Sequence, residues 1–81
     1  MEYDKDKVDE YTLALLYLGL HDEDEYGARA WKGFDWNTMN RLFEKGFIGN
    51  PVAKSKSVVV TTNGCKKAKE LFEKHFLKSR A

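Results

Sequence analysis

The clearest pattern of apolar and polar positions lies between Asp35 and Ile48. Met39, Leu42, Phe43 and Phe47 recur on one helical face, while Asn37, Asn40, Arg41, Glu44 and Lys45 fall on the other. Asp35 is placed to cap the first turn, Phe34 can staple onto Met39, and Gly46 supplies the left-handed residue that ends the helix. A second pattern runs from Asp4 to Leu20, with acids in the opening turn, where the helix dipole favours them. It carries two apolar stripes: Val8, Tyr11, Leu15 and Leu18 form one, and Leu13, Leu16, Tyr17 and Leu20 the other. One stripe is expected inward and the other against a second copy of the chain, with the interface assigned to Leu13, Leu16, Tyr17 and Leu20. Equally weighted is burial of both stripes within one chain, since a small domain needs every apolar contact. A third helix starts at Thr61 or Thr62 and runs toward Leu77, with Cys65, Ala68, Leu71, Phe72 and Phe76 on one face.

Between the last two helices the pattern changes. Ser57 to Thr61 is a β-branched strand, and Phe47-Ile48 begins a shorter one before the Gly49-Asn50-Pro51 turn. A two-stranded hairpin follows, its tip basic through Lys54 and Lys56. The first and second helices are separated by His21 to Glu25, read as an acidic loop, and by Tyr26 to Trp36. In that second stretch Ala28 to Trp31 is expected to form a single helical turn. Trp31, Phe34 and Trp36 are large enough to close the core of so short a chain, and that is their expected place. Their interleaving with Arg29 and Lys32 also suits the stacking of bases or the holding of an anion.

With 81 residues and 9.4 kDa there is room for one domain, taken as 1–81 with 79–81 frayed. Mainly helical with a small β-hairpin, it falls in the α+β class. The single Cys65 excludes an internal disulfide and a multi-cysteine zinc site, and it fits a reducing compartment. No apolar run reaches the roughly 20 residues that span a bilayer, and the start Met-Glu-Tyr-Asp is the wrong sign for a secretory leader. A cytoplasmic protein is therefore expected. Neither a phosphate-binding glycine loop, a nucleophile with its base, nor metal-ligand spacing is present, so no catalytic residue, cofactor or metal is expected. His75 is read as a boundary residue and Cys65 as a small core filler. The formal net charge of +1 conceals a division: residues 1 to 26 hold nine acids against two lysines, net −7, and the remainder holds twelve cations against four acids, net +8. Such asymmetry suits an anionic partner or the head-to-tail association of acidic and basic surfaces.

The segment Met39-Asn40-Arg41-Leu42-Phe43-Glu44-Lys45-Gly46-Phe47-Ile48 resembles the end of a winged-helix recognition helix running into its first wing strand. Ser57-Val58-Val59-Val60-Thr61-Thr62-Asn63-Gly64-Cys65-Lys66-Lys67-Ala68 is similar to the second wing strand and following helix of MarR- and PadR-type bacterial regulators. The resemblance implies a winged helix-turn-helix domain of three helices and a two-stranded wing, acting as a homodimeric regulator on double-stranded DNA. Asn37, Asn40 and Arg41 would then reach base edges, while Lys45, Lys54 and Lys56 would neutralise phosphates. The alternative is a non-enzymatic interaction or self-association module that keeps the winged-helix shell. The whole chain, Arg29 to Trp36 included, also resembles a family of short uncharacterised bacterial proteins, which brings no assigned activity.

Overall fold

In the computed structural model, which describes residues 1–78, Asp4 caps helix α1 (Lys5–Leu18) by accepting a hydrogen bond from the Lys7 amide at 3.0 Å. Two short strands follow, β1 (His21–Asp24) and β2 (Gly27–Trp31), then helix α2 (Trp36–Glu44), strand β3 (Ser57–Thr61) and helix α3 (Thr62–Phe76). Asp35 caps α2 through the Thr38 amide, and Gly46 just beyond it has φ 81, the left-handed turn expected there. Thr61 caps α3 through the Gly64 amide. All three helices thus stand where the periodicity places them. The expected fraying of 79–81 concerns residues outside those described.

The strands require a correction. Ala28 to Trp31 is not a helical turn and His21 to Asp24 is not a loop, because both belong to a three-stranded antiparallel sheet of order β1-β2-β3. The register pairs Ala28 with Val60 and Ala30 with Val58, so the two alanines lie on the face that packs inward, while Arg29 and Trp31 point to the other. Alanine is a strong helix former, yet here its small side chain lets α1 and α3 approach the sheet. Gly27 permits the turn that joins β1 to β2: its φ is 135, and a side chain there would run into the Val60 carbonyl oxygen. The Asp24 carboxylate holds the same turn by accepting from the Tyr26 amide at 2.7 Å.

The expected hairpin between Phe47-Ile48 and β3 is reduced to one bridge, Ile48 with Val60, supported by hydrogen bonds from Gly49 N to Val59 O and from Thr61 N to Phe47 O. The main partner of β3 is β2. With a β-hairpin standing where the second helix of a helix-turn-helix would stand, the chain is an α+β domain of three helices and three strands.

Helices α1 and α3 pack on the sheet while α2 packs on α1, and the domain is only 18 Å across its thinnest dimension. Leu13, Ala14 and Leu16 of α1, Ala30 of β2, Met39 and Leu42 of α2, Ile48, Val58, Val60, and Ala68 and Leu71 of α3 form one buried cluster. The expectation that Trp31, Phe34 and Trp36 close this core is not met. Trp31 is 59% exposed and Trp36 53%, because the strand period and the start of α2 turn them outward, and the inward positions go to alanine and methionine.

Candidate functional site

The two sides of α1 differ sharply in what they meet. Its inner side carries Asp9 in phase with Leu13 and Leu16, and the Asp9 side chain is only 2% exposed. A buried carboxylate must be paired, and this one is held by two cations from α2 and its C-terminal end. Arg41 Nε donates to both Asp9 oxygens at 2.8 and 3.0 Å, its Nη2 lies 2.8 Å from Oδ1, and Lys45 Nζ donates to Oδ2 at 2.8 Å. Lys45 also reaches Asp6 at 3.3 Å. The chain of contacts continues from Arg41 Nη2 to Thr38 Oγ1 at 3.1 Å and from that hydroxyl to Asp35 Oδ2 at 2.9 Å. Hydrogen bonding to Asp9, and more weakly to Asp6, raises the Lys45 ammonium above its ordinary value, although burial opposes this. The Thr38 hydroxyl and amide lower the Asp35 carboxyl. The result is a polar latch between the first two helices.

This latch changes the picture of the six residues assigned to DNA. Arg41 and Lys45 face α1 and are neutralised there, Asn40 is half-buried, and of the three α2 residues assigned to DNA only Asn37 is exposed. Lys54 and Lys56 are exposed on the loop before β3, which is fastened to the end of β2. Lys32 Nζ donates to the carbonyls of Pro51 and Ala53 at 2.8 and 2.6 Å, and Arg29 donates to the Ser57 hydroxyl at 2.8 Å and its carbonyl at 3.1 Å. The cations of α2 and those of the loop therefore belong to different attachments. Asp9 was the residue that sequence reasoning missed, counted only among the acids of the first segment. Its signal was its phase, since an acid spaced with the inward leucines requires a buried partner.

The residues assigned to a dimer interface are likewise redistributed. Leu13 and Leu16 are in the core of the single chain, and Tyr17 and Leu20 are half-buried against it, with Tyr17 5.3 Å from the Phe72 ring. The exposed stripe is the other one: Tyr11 is 39% exposed, Leu15 43% and Leu18 69%. Phe34, from the segment before α2, lies beside this stripe, and Val8, Tyr11, Thr12, Leu15 and Phe34 line an open apolar groove of about 440 Å³. Its charged rim is made by Asp4 and Lys7. Tyr11 is held in place from behind by His75, whose ring centroid is 4.5 Å away, and by Phe76 at 5.7 Å.

The remaining candidates are structural in their surroundings. His75 is half-buried as expected, with Nε2 3.4 Å from Glu10 Oε2. Cys65 packs beside the core with its thiol 3.7 Å from the Val60 carbonyl, and burial pushes that thiol up, away from the reactive thiolate. His21 pairs with Asp22 at 3.0 Å, and no cluster of three metal-binding side chains occurs among the described residues. Among the described residues no helix is long and apolar enough to cross a membrane.

With α1 and α3 on a small antiparallel sheet, α2 tied to α1 by a buried ion-pair latch, and an apolar groove along α1, the chain is a small α+β domain. The chain belongs to the family described as a domain of unknown function, DUF6429, whose model matches residues 4–78. It is 53% identical over 76 residues to the uncharacterised protein y4hR of Sinorhizobium fredii (strain NBRC 101917 / NGR234), spanning 94% of this chain and 97% of that one. No solved structure matches it.

Proposed function

We propose that this chain is a non-enzymatic protein-protein interaction module that docks its partner on the outer side of α1. One observation carries the reading: the exposed apolar stripe of α1, with Phe34, forms a groove, while Arg41 and Lys45, two of the four cations expected to contact DNA, are occupied by Asp9 and Asp6. A groove walled by Val8, Tyr11, Leu15 and Phe34 supplies the aromatic and aliphatic anchors that dominate binding energy at interfaces. A duplex, by contrast, would have to pull Arg41 and Lys45 away from a buried carboxylate before using them, leaving Asp9 uncompensated. Asn37, Lys54 and Lys56 alone offer few phosphate contacts.

Two measurements test this. A photo-crosslinking side chain placed at Leu15 is expected to give a covalent protein adduct of defined mass, whereas the same group at Lys54 gives none. Absence of an adduct from position 15 overturns the proposal. A fluorescently labelled random duplex is expected to show no salt-sensitive binding at micromolar protein, and steep loss of binding with salt would restore the gene-regulator reading.

A further inference from the structure

Only one side of the sheet is covered. Helices α1 and α3 pack on the side that carries Ala28 and Ala30, and α2 makes no contact with the strands. Strand alternation puts Arg29 and Trp31 on the open side, where the register sets Val59 opposite Arg29 and Ser57 opposite Trp31. Trp31 is positioned there without being buried. Gly33 does not have a left-handed φ, and what it supplies is room, because a side chain at that position would run into the Trp31 indole. The neighbouring guanidinium is also fixed. Arg29 Nε donates to the Ser57 hydroxyl, and Nη2 donates to the Ser57 carbonyl and, at 3.4 Å, to the Ser55 hydroxyl. Its Nη1 has no acceptor among the described residues, and every acceptor that Arg29 does have is neutral.

The charge on this side is left over. Arg29, Lys32, Lys54 and Lys56 form no ion pair among the described residues. Lys32 ties the loop that carries the two exposed lysines to the end of β2, and Ser55 lies between those lysines in the chain. The Ser55 and Ser57 oxygens are 3.2 Å apart, so one hydroxyl proton bridges them and the other is free to donate outward. A guanidinium edge, a hydroxyl and two ammonium groups beside them suit an anion of several oxygens, which is the chemistry of a phosphate. Trp31 stands two residues along the strand from Arg29, about 7 Å, and offers a ring face for stacking. A nucleoside phosphate carries both groups. We infer that the open side of the sheet binds a nucleoside phosphate, with its phosphate on Arg29 and the hydroxyls of Ser55 and Ser57 and its base stacked on Trp31.

The acids nearby set the direction of binding. Asp22 and Asp24 of β1 line a shallow depression with Arg29 and Val59, on the flank away from the serines. Asp22 is paired with His21 at 3.0 Å and Asp24 accepts from the Tyr26 amide, while Glu23 stands exposed between them. They repel a phosphate from the β1 flank and leave it the flank of β3 and its loop. Asp35, three residues beyond Lys32, is turned toward Thr38. A duplex gains little on this surface because its bases are stacked within it, whereas a single strand or a free nucleotide has a ring face to offer. The inference does not depend on what docks on α1.

Trp31 reports on binding directly once Trp36 is replaced by Phe, since the chain has two tryptophans. Thymidine monophosphate and a short oligothymidylate are titrated into the Trp36→Phe chain, and quenching of Trp31 emission that weakens as salt rises is expected. Tighter binding of the strand assigns single-stranded nucleic acid, equal binding per nucleotide assigns a free nucleotide, and either result upholds the site. Arg29→Met should weaken binding at least about tenfold. Lys54→Gln with Lys56→Gln, both exposed, should weaken it and flatten its salt dependence. Gly33→Ala should weaken it by displacing the indole while leaving the salt dependence as it was, and Asp22→Asn with Glu23→Gln should tighten it. No quenching by either ligand at about 1 millimolar overturns the inference. So does quenching by thymidine lacking phosphate that equals that of the monophosphate, or quenching indifferent to Arg29→Met and to the lysine pair in chains of unchanged circular dichroism.

Discussion

Helix α1 has two sides of nearly the same hydrophobicity and opposite duties. The inner side, with Leu13 and Leu16 at 1% and 2% exposure, meets the sheet and the other helices, while Leu15 and Leu18, of the same residue type, remain in water. What separates them is one buried carboxylate. Asp9 can be desolvated only where Arg41 and Lys45 reach it, so the latch sets the rotation of α1 about its axis and thereby decides which leucines go inside. A polar contact here selects among apolar faces that hydrophobicity alone does not distinguish.

This comparison can be broken at several points. The largest effect is expected from Leu13→Ala, which removes a fully buried side chain and should lower unfolding free energy by about 3 kcal/mol in urea titration, with the outer groove intact until the fold fails. Asp9→Ala is expected to cost about 2 kcal/mol, less than a deeper pair would, because Arg41 and Lys45 keep partial access to water. If removal of Asp9 left stability unchanged, the latch would have no part in fixing α1.

A smaller effect is expected with pH. Lys45 titrates above its ordinary value in the folded chain, so its contribution is complete below the unfolded lysine value and fades as pH rises through the higher folded one. Melting temperature should therefore fall more steeply for the parent than for Lys45→Met at strongly alkaline pH, and identical slopes would count against the pairing with Asp9. Asp35 has the opposite sense. Its lowered value means that its cap contributes above the ordinary carboxylate range and is lost as pH falls through the folded value. The smallest stability change belongs to the outer side, where Leu15→Glu should alter unfolding free energy by no more than about 0.5 kcal/mol while abolishing docking. A large loss of stability there would move Leu15 from the contact surface into the core.

The helices were legible because caps and periodicity agree: Asp4, Asp35 and Thr61 each bond the first turn of the helix they precede, and β3 follows from its run of β-branched residues. The first two strands were not. His-Asp-Glu-Asp has no strand propensity, and Gly-Ala-Arg-Ala-Trp reads as a helical turn until β3 is set beside it. The site was half legible. Both stripes of α1 could be found by spacing, but their assignment to core and surface was reversed, and the cations of α2 could not be seen to face Asp9 from 32 and 36 residues away.

Local chemistry along the chain determined where each helix begins and ends, that one strand precedes the last helix, and that α1 carries more apolar surface than one core can hold. Those features depend on neighbours within a few residues. Only the tertiary structure decided that β2 lies between β1 and β3, that the tryptophans stay outside while two alanines go in, and that Asp9 closes on Arg41 and Lys45. Each of these is a choice between faces of similar local energy, settled by contacts between segments far apart in the chain.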